Sequence, residues 1–396
     1  MNEATLQYMR QHADDDVRQL ALRGKAPDVD LRAAIEQIAG RQAARQKLPS
    51  WAATEGVLYP PHLSMEQCSG EPAARYKAEL ASLLTSGASH RFVDLTGGFG
   101  IDFSFISQHF AEAVYVECQE HLCQLARHNF PLMGIRGEVV CADATAYLQQ
   151  MQHASLVFID PARRDSHGGR TYGIADCTPD VLQLRDMLLQ KADCILLKLS
   201  PMLDWRKAVS DLGQQYVSEV HIVSVQNECK ELLIVLKESE GDLDLHCVNL
   251  LNDGISQESF VCKPSSFVPH PSSLTPRPSS FLYEPNASIM KAGCFDAVAS
   301  AWGVSQIAPN SHLFVSDQLL TDFPGRSFQI VSVCSMNKKE LKTALRDITQ
   351  ANITVRNFPL SVAELRKRLK TGEGGSNYIF ATTLAKGSHV LLICRK

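Results

Sequence analysis

Seven short apolar runs between residues 91 and 237 (RFVDL, AVYVEC, EVVCAD, SLVFID, CILLKLS, VHIVSV and ELLIVLK) most limit what this chain can become. Most are separated by helix-length segments, a rhythm that builds a parallel sheet, because each parallel crossover needs about a dozen residues or more. The last pair breaks the rhythm. Only QNECK separates HIVSV (221–225) from ELLIVL (231–236), too little for a crossover, so the seventh strand must run antiparallel to the sixth. The expected fold class is α/β: a Rossmann-like, mostly parallel sheet closed by one antiparallel hairpin.

The flanks differ from this core. Residues 1–85 show helical periodicity and few strand signals; LRAAIEQIAGRQAARQKL (31–48) sets Ile35, Ile38 and Ala39 on one face and charges on the other. A helical N-terminal domain over 1–85 is expected, followed by the sheet domain over 86–255. Three Pro-Ser-Ser units spaced by seven residues run from Pro264 to Glu284, and an extended or disordered linker is expected over 256–284. Beyond it, EPNASIMKAGCFDAVASAWG reads as helical with an Asn start. FQIVSVCS, a polar helix, ITVRNFPL, LSVAELRKRLK, NYIFATTL and SHVLLICR then describe a small α+β domain over 285–396.

At 396 residues the chain is too long for one ordinary core, and 45% apolar with 21% charged residues reads as soluble and globular. No apolar run is long enough to span a bilayer, and MNEATLQYMRQHADDDVRQL has no apolar core of a secretory signal, so a cytoplasmic location is expected. The twelve cysteines include no CxxC pair and no histidine sits at ligand spacing, so reduced, mostly buried thiols and no metal are expected. From residue 321 onward there are 13 Lys and Arg against 5 Asp and Glu, a net of +8 in a chain of net −4. Such a split fits a nucleic-acid-binding appendage on an acidic body, although ELRKRLK (364–370) also fits a helix with one solvated face.

VDLTGGFGIDF (93–103) follows the first strand and opens a helix, expected over 103–110. Its glycines allow a tight turn and leave no Cβ between the backbone and a nucleotide-like ligand. A dinucleotide fingerprint would need a small residue at 103, where Phe stands, so NAD is disfavoured. Acids end the first four strands in order: Asp94, Glu117 at the position of a ribose-binding carboxylate, Asp143 for an adenine amino group, and Asp160. The plainer reading makes these acids helix caps.

The pattern Asp94-x-Thr96-x-Gly98-x-Gly100 resembles the first motif of S-adenosylmethionine-dependent methyltransferases, with Thr for the first Gly. Residues 60–240 resemble a class I methyltransferase. The whole chain is similar to bacterial methyltransferases with a helical N-terminus and a C-terminal THUMP-like, ferredoxin-like domain, a type that accompanies RNA-modifying enzymes. The resemblance implies S-adenosyl-L-methionine as cofactor, held by Asp94, Thr96, Gly97, Gly98, Gly100, Asp102, Glu117, Asp143 and Ala144. PPHLSMEQCSGEPAARYKAEL (60–80) looks like the family's segment over the cofactor and adds Gln67 and Ser69, although a capped helix start fits it too.

Asp160 and Pro161 match amino-group methyltransferases, but Ala162 and Arg163 do not, which leaves Tyr172 to stack a base. DPAR also resembles uridine C5-methyltransferases. Those need a later cysteine, where this chain has Lys198-Leu199-Ser200-Pro201, so carbon methylation is disfavoured and Cys194 should face the core. Asp160, Pro161 and Arg163 are the candidate catalytic residues. Arg164, Arg170, Tyr172, Lys198 and Ser200, with Arg366, Lys367 and Arg368 of the basic helix, are candidates for the substrate. The expected function is methyl transfer to an RNA base; a DNA or protein methyltransferase, or a non-catalytic RNA-binding protein of the same fold, are the alternatives.

Overall fold

A computed structural model describes residues 1–22, 27–85, 90–163, 173–238, 241–251, 257–264 and 275–396. The chain forms two compact units: Met1–Val225 with Lys230–Gly241 and Leu250–Ser256, and Gln226–Cys229 with Asp242–Asn249 and Gln257–Lys396. The helical segment 1–85, expected as a separate domain, is part of the first unit.

That segment contains α1 (Glu3–Gln11), α2 (Val17–Leu22), α3 (Leu31–Lys47), α4 (Pro49–Ala53), α5 (His62–Gln67) and α6 (Glu71–Leu84). Asn2 and Asp30 cap α1 and α3 by accepting the backbone N–H groups of Thr5 and Ala33. The buried stripe of α3 is Ala34, Ile38, Gly40 and Ala44, while Ile35 and Ala39 are half-buried. The expected face is rotated because Gly40 meets Tyr59: a Cβ there would lie 2.4 Å from that of Tyr59. Gln37 and Tyr59 exchange side-chain and backbone hydrogen bonds of 2.8 Å across the same contact.

The first unit then alternates β1 (Arg91–Asp94), α7 (Ile101–Ile106), β2 (Glu112–Glu117), α8 (Glu120–Leu132), β3 (Glu138–Cys141), α9 (Ala144–Gln150) and β4 (Ala154–Ile159). A two-strand pair, β5 (Ala162–Arg163) and β6 (Cys177–Thr178), precedes α10 (Val181–Lys191), β7 (Ala192–Leu199), α11 (Trp205–Leu212), β8 (Val217–Val225) and β9 (Glu228–Leu236). The order within this unit is β8-β9-β7-β4-β1-β2-β3, with β1 parallel to β2 and β4, β2 to β3, and β4 to β7. β9 lies antiparallel to β7. It reaches that place through a tight turn at Gln226 and Asn227, with φ of 53° and 61°, both in the left-handed region that two-residue hairpins require. The expected mostly parallel sheet with an antiparallel closing hairpin is therefore present. The helix after β1 begins at Ile101 rather than 103, since Gly100 at φ 87° serves as its N-cap.

In the second unit, β10 (Asp244–Leu250) neighbours β11 (Gln257–Cys262), and β12 (Phe281–Pro285) leads to α12 (Ala287–Ala292), α13 (Phe295–Trp302), β13 (Ser305–Gln306) and β14 (Phe314–Ser316). β15 (Gly325–Ser335), α14 (Lys338–Ala344), β16 (Asn352–Arg356), α15 (Val362–Leu369), β17 (Asn377–Thr383) and β18 (His389–Arg395) follow, the order expected for the small α+β region. Its sheet runs β13-β14-β12-β15-β18-β17-β16. Period-two alternation sorts the core: Phe328, Phe380 and Leu392 share one apolar cluster, while Ile379, Ala381, Leu391 and Ile393 join Leu365 and Leu369 of α15 in another. Strand β11 and the first four residues of β12 lie inside the span expected as a linker, which narrows that linker. Residues 265–274, most of the Pro-Ser-Ser stretch, lie outside the described residues.

Candidate functional site

The carboxyl ends of β1, β2, β4 and β7 carry the site. Asp94, the last residue of β1, is 1% exposed, and its Oδ1 accepts the Thr96 N–H at 2.9 Å, a local turn that starts the glycine loop. Burial, with Asp102, Asp160 and Glu117 nearby, pushes its carboxyl well above the usual range, against the opposing pull of the Thr96 N–H. Two of the loop's glycines are demanded by packing. A Cβ on Gly97 would fall 2.1 Å from the Tyr115 ring, and one on Gly100 would fall 2.8 Å from Phe130. Gly98, at φ 55°, has nothing nearer than the Thr96 carbonyl at 3.8 Å, so it alone keeps an open backbone face. Phe99, between them, packs on Trp51 and Tyr59 at ring separations of 4.8 and 6.3 Å, which ties the loop to the N-terminal helices.

Glu117 ends β2 and is 7% exposed. Its Oε2 accepts the Gly98 N–H and its Oε1 the Gln119 N–H, each at 2.9 Å. Oε1 also accepts from the Gln119 side-chain amide at 3.3 Å and the Cys118 thiol at 3.4 Å, so of the carboxylate's roughly four lone-pair positions the second on Oε2 stays open to a ligand beside Gly98. Across the loop, the Thr96 hydroxyl accepts the Asp160 N–H at 2.6 Å, which joins the loops after β1 and β4. The Thr that stands for the usual first glycine thus has a positioning task of its own.

Behind Asp160 runs a line of alternating charge. Lys198 of β7 lies 2.5 Å from Asp160 and 3.4 Å from Asp102; Lys77 of α6 lies 3.1 Å from Asp102 and pairs with Glu231 of β9. The Ser69 hydroxyl sits 2.8 Å from both Asp102 and Glu231 and accepts from Lys77 at 2.9 Å. Lys77 is fully buried, whereas the Asp160 side chain is 36% exposed, so the line opens to solvent at Asp160. Burial alone would lower the Lys198 ammonium, but Asp160, Asp102 and Glu231 hold its pKa well above the usual value, so it is a fixed cation and not a base. Asp102 is pushed up by burial, yet Lys77 and Lys198 bring it below the ordinary carboxyl value. For Asp160 burial prevails over Lys198 and raises it.

The structure thus gathers Asp94, Thr96, Gly97, Gly98, Gly100, Asp102, Glu117, Asp160 and Lys198. Pro161 is buried beside them. Lys198 was expected at the substrate, but its ammonium is committed to the Asp102 and Asp160 carboxylates and is not available to a phosphate. Asp143 is exposed and caps α9 by accepting the Ala146 N–H at 3.0 Å, with Ala144 buried behind it. Gln67 is exposed at the end of α5, whereas Ser69 is built into the charged line. The Ser200 hydroxyl is 3.3 Å from the Met202 N–H, a turn contact. Arg164, Arg170 and Tyr172 lie outside the described residues, as does the Arg163 side chain; the Arg163 backbone pairs with Cys177 in β5 and β6. Cys194 is buried, as expected, and burial pushes its thiol up to about 12.

Arg366 is half-buried and donates to the carbonyls of Ala351 and Gly372 at 3.1 and 2.7 Å, so it closes the end of α15, whereas Lys367 and Arg368 are exposed. Sequence reasoning missed Lys77 and Glu231. The signal was present, since Lys77 falls on the apolar stripe of α6 with Ala73, Ala74, Ala78 and Ala81, and Glu231 immediately precedes the apolar run 232–236 of β9. A charge at a core position needs a buried partner.

Two family models match the second unit: a ferredoxin-like domain over residues 281–324 and a THUMP domain-like model over 325–396. A crystal structure from Porphyromonas gingivalis W83, provisionally designated a methyltransferase, is 33% identical, covers 99% of this chain and 97% of its own, and superposes with a TM-score of 0.86. A class I S-adenosylmethionine-dependent methyltransferase from Listeria monocytogenes, also so designated provisionally, is 12% identical over 61% of this chain and 90% of its own, with a TM-score of 0.40. A Pyrococcus horikoshii protein provisionally designated an RNA methyltransferase is 11% identical over 50% of this chain and 98% of its own, with a TM-score of 0.37. The last two similarities are too low to carry an argument. No curated protein matches the chain significantly.

Proposed function

The chain belongs to the family of the Porphyromonas gingivalis protein provisionally designated a methyltransferase and carries a THUMP-like C-terminal domain, and from this we propose that it is a class I S-adenosylmethionine-dependent methyltransferase that acts on an RNA base. The observation that supports this most is the half-exposed Asp160 at the mouth of a buried line of ion pairs, in a loop tied through Thr96 to the open glycine Gly98.

The residues fit the cofactor. In this reading Glu117 holds the ribose through the open lone pair of Oε2, Gly98 lets the backbone approach, and Asp143 with Ala144 meets the adenine. The other expected contacts, Asp94, Thr96, Gly97, Gly100 and Asp102, act by shaping the loop, and Gln67 covers it from α5. When bound, S-adenosylmethionine supplies an electrophilic methyl group on a sulfonium. The protein's part is alignment and a proton. Lys198 and the Thr96 hydroxyl fix Asp160, whose carboxylate accepts the acceptor's N–H and can take its proton as the new bond forms. Pro161 and Arg163 extend this loop, and Arg164, Arg170 and Tyr172 are assigned to the RNA. Lys367 and Arg368 of α15 supply phosphate contacts whose value is independent of sequence.

Mass spectrometry of RNA nucleosides from a deletion strain, compared with its parent, tests the reading. One methylated nucleoside should vanish, return on complementation with the parent gene, and stay absent with Asp160→Ala. Identical nucleosides in both strains, with no calorimetric heat on adding S-adenosylmethionine, would make the chain a binding module of the same fold.

A further inference from the structure

Three metal-binding side chains meet on the first unit away from the line of ion pairs. Glu120 and Cys123 are one turn apart on α8, and Cys141 ends β3; one carboxylate oxygen and the two sulfurs lie within 4.8 Å of one another. Spacing of three puts Glu120 and Cys123 on one helix face, and the parallel pairing of β2 with β3 brings Cys141 beside it. We propose that this triad binds a single zinc-class divalent cation.

The surroundings aim the ligands. The Cys123 thiol donates to the Glu117 carbonyl at 3.3 Å and the Cys141 thiol to the Cys118 carbonyl at 3.8 Å, contacts that fix where the sulfurs sit and that each gives up when its proton leaves. Gln124 and Arg127 hold Oε1 of Glu120 at 3.3 and 3.1 Å, and the Cys141 thiol also hydrogen-bonds the carboxylate, so loss of that thiol's proton leaves both groups facing a cation. Two thiolates and one carboxylate suit zinc and exclude magnesium and calcium, which take oxygen ligands. Tetrahedral zinc with Zn–S bonds of about 2.3 Å sets its sulfurs about 3.8 Å apart, so the triad need close by no more than about 1 Å.

Binding breaks the two S–H bonds, forms two Zn–S bonds and passes two protons to solvent; no electron is transferred, and water completes the fourth position.

The site is tested on the full-length, reduced, metal-stripped protein with Co2+ as probe. One equivalent should bind per chain with a thiolate-to-metal charge-transfer band that Zn2+ abolishes. Cys141 is exposed, so Cys141→Ser keeps the fold, and it should weaken binding by about 100-fold or more. Zn2+ should also raise the melting temperature of the parent and not that of Cys141→Ser. The proposal is overturned if the parent shows no thiolate band, or if the band survives in Cys141→Ser. It is equally overturned if the band is lost instead in Cys262→Ser, which would move the cation to the second unit, where the Cys294 thiol lies 3.7 Å from Cys247 and hydrogen-bonds Cys262.

Discussion

At Glu117 the bonds to Gly98, Cys118 and Gln119 shape the loop, while the lone pair left on Oε2 is the one assigned to the cofactor. Glu117→Gln keeps one oxygen acceptor and removes the charge. It should weaken S-adenosylmethionine binding by about 1.5 to 3 kcal/mol, the value of a hydrogen bond to a charged group, as read by calorimetry. Unchanged affinity in a folded variant would remove Glu117 from the cofactor site. Asp94 allows a test with the opposite emphasis. An acid whose folded pKa is raised binds its proton more tightly in the native state, so its contribution falls as pH climbs from the ordinary carboxyl value through the raised one. Asp94→Asn still accepts the Thr96 N–H and never ionises. The variant should melt higher than the parent at about pH 8, and the two should converge toward about pH 4. A difference that does not change with pH would show that the buried carboxyl is not the cause.

The elements α6, α7, β7 and β9 are joined through Lys77, Asp102, Lys198 and Glu231. Removing one member of a buried ion pair leaves an uncompensated charge, and Lys77→Met should cost about 3 to 5 kcal/mol in urea unfolding. Adding Glu231→Gln should recover part of the loss; if the double variant is no better than the single, the pair is not the source of the cost. How much of this was legible in sequence depends on the range of the cause. The strand rhythm, the closing hairpin and the capping asparagine before α12 are set by neighbours along the chain, and reading residues in order found them. The rotated face of α3 was not, because Gly40 is small to admit Tyr59 from a distant turn. Nor were the reasons for Gly97 and Gly100, which are the rings of Tyr115 and Phe130 rather than a ligand. Lys77 with Glu231, and Cys123 with Cys141, are pairs that only the folded sheet brings together.

Across the whole molecule the +8 of residues 321–396 is partly neutralised internally: Arg326 and Arg356 both pair with the buried Glu284, and Arg366 closes α15. Lys367, Arg368 and Lys370 remain exposed. Replacing these three by Ala should weaken RNA binding and flatten its salt dependence by a slope of up to about 3, one for each phosphate no longer neutralised. Cofactor affinity should not change, since the residues proposed to hold it all belong to the first unit. Filter binding across a salt series reads the slope, and an unaltered slope would make these charges a solvated helix face. The division into units also bears on how the chain is made and inherited. The second unit takes Gln226–Cys229 and Asp242–Asn249 from mid-chain before its main body, Gln257–Lys396, is translated. For the same reason no single cut in the gene releases the second unit whole: a fragment starting at residue 257 lacks β10, including Cys247, which packs 3.7 Å from Cys294. The two units are therefore expected to have passed through evolution as one inseparable reading frame rather than as exchangeable cassettes.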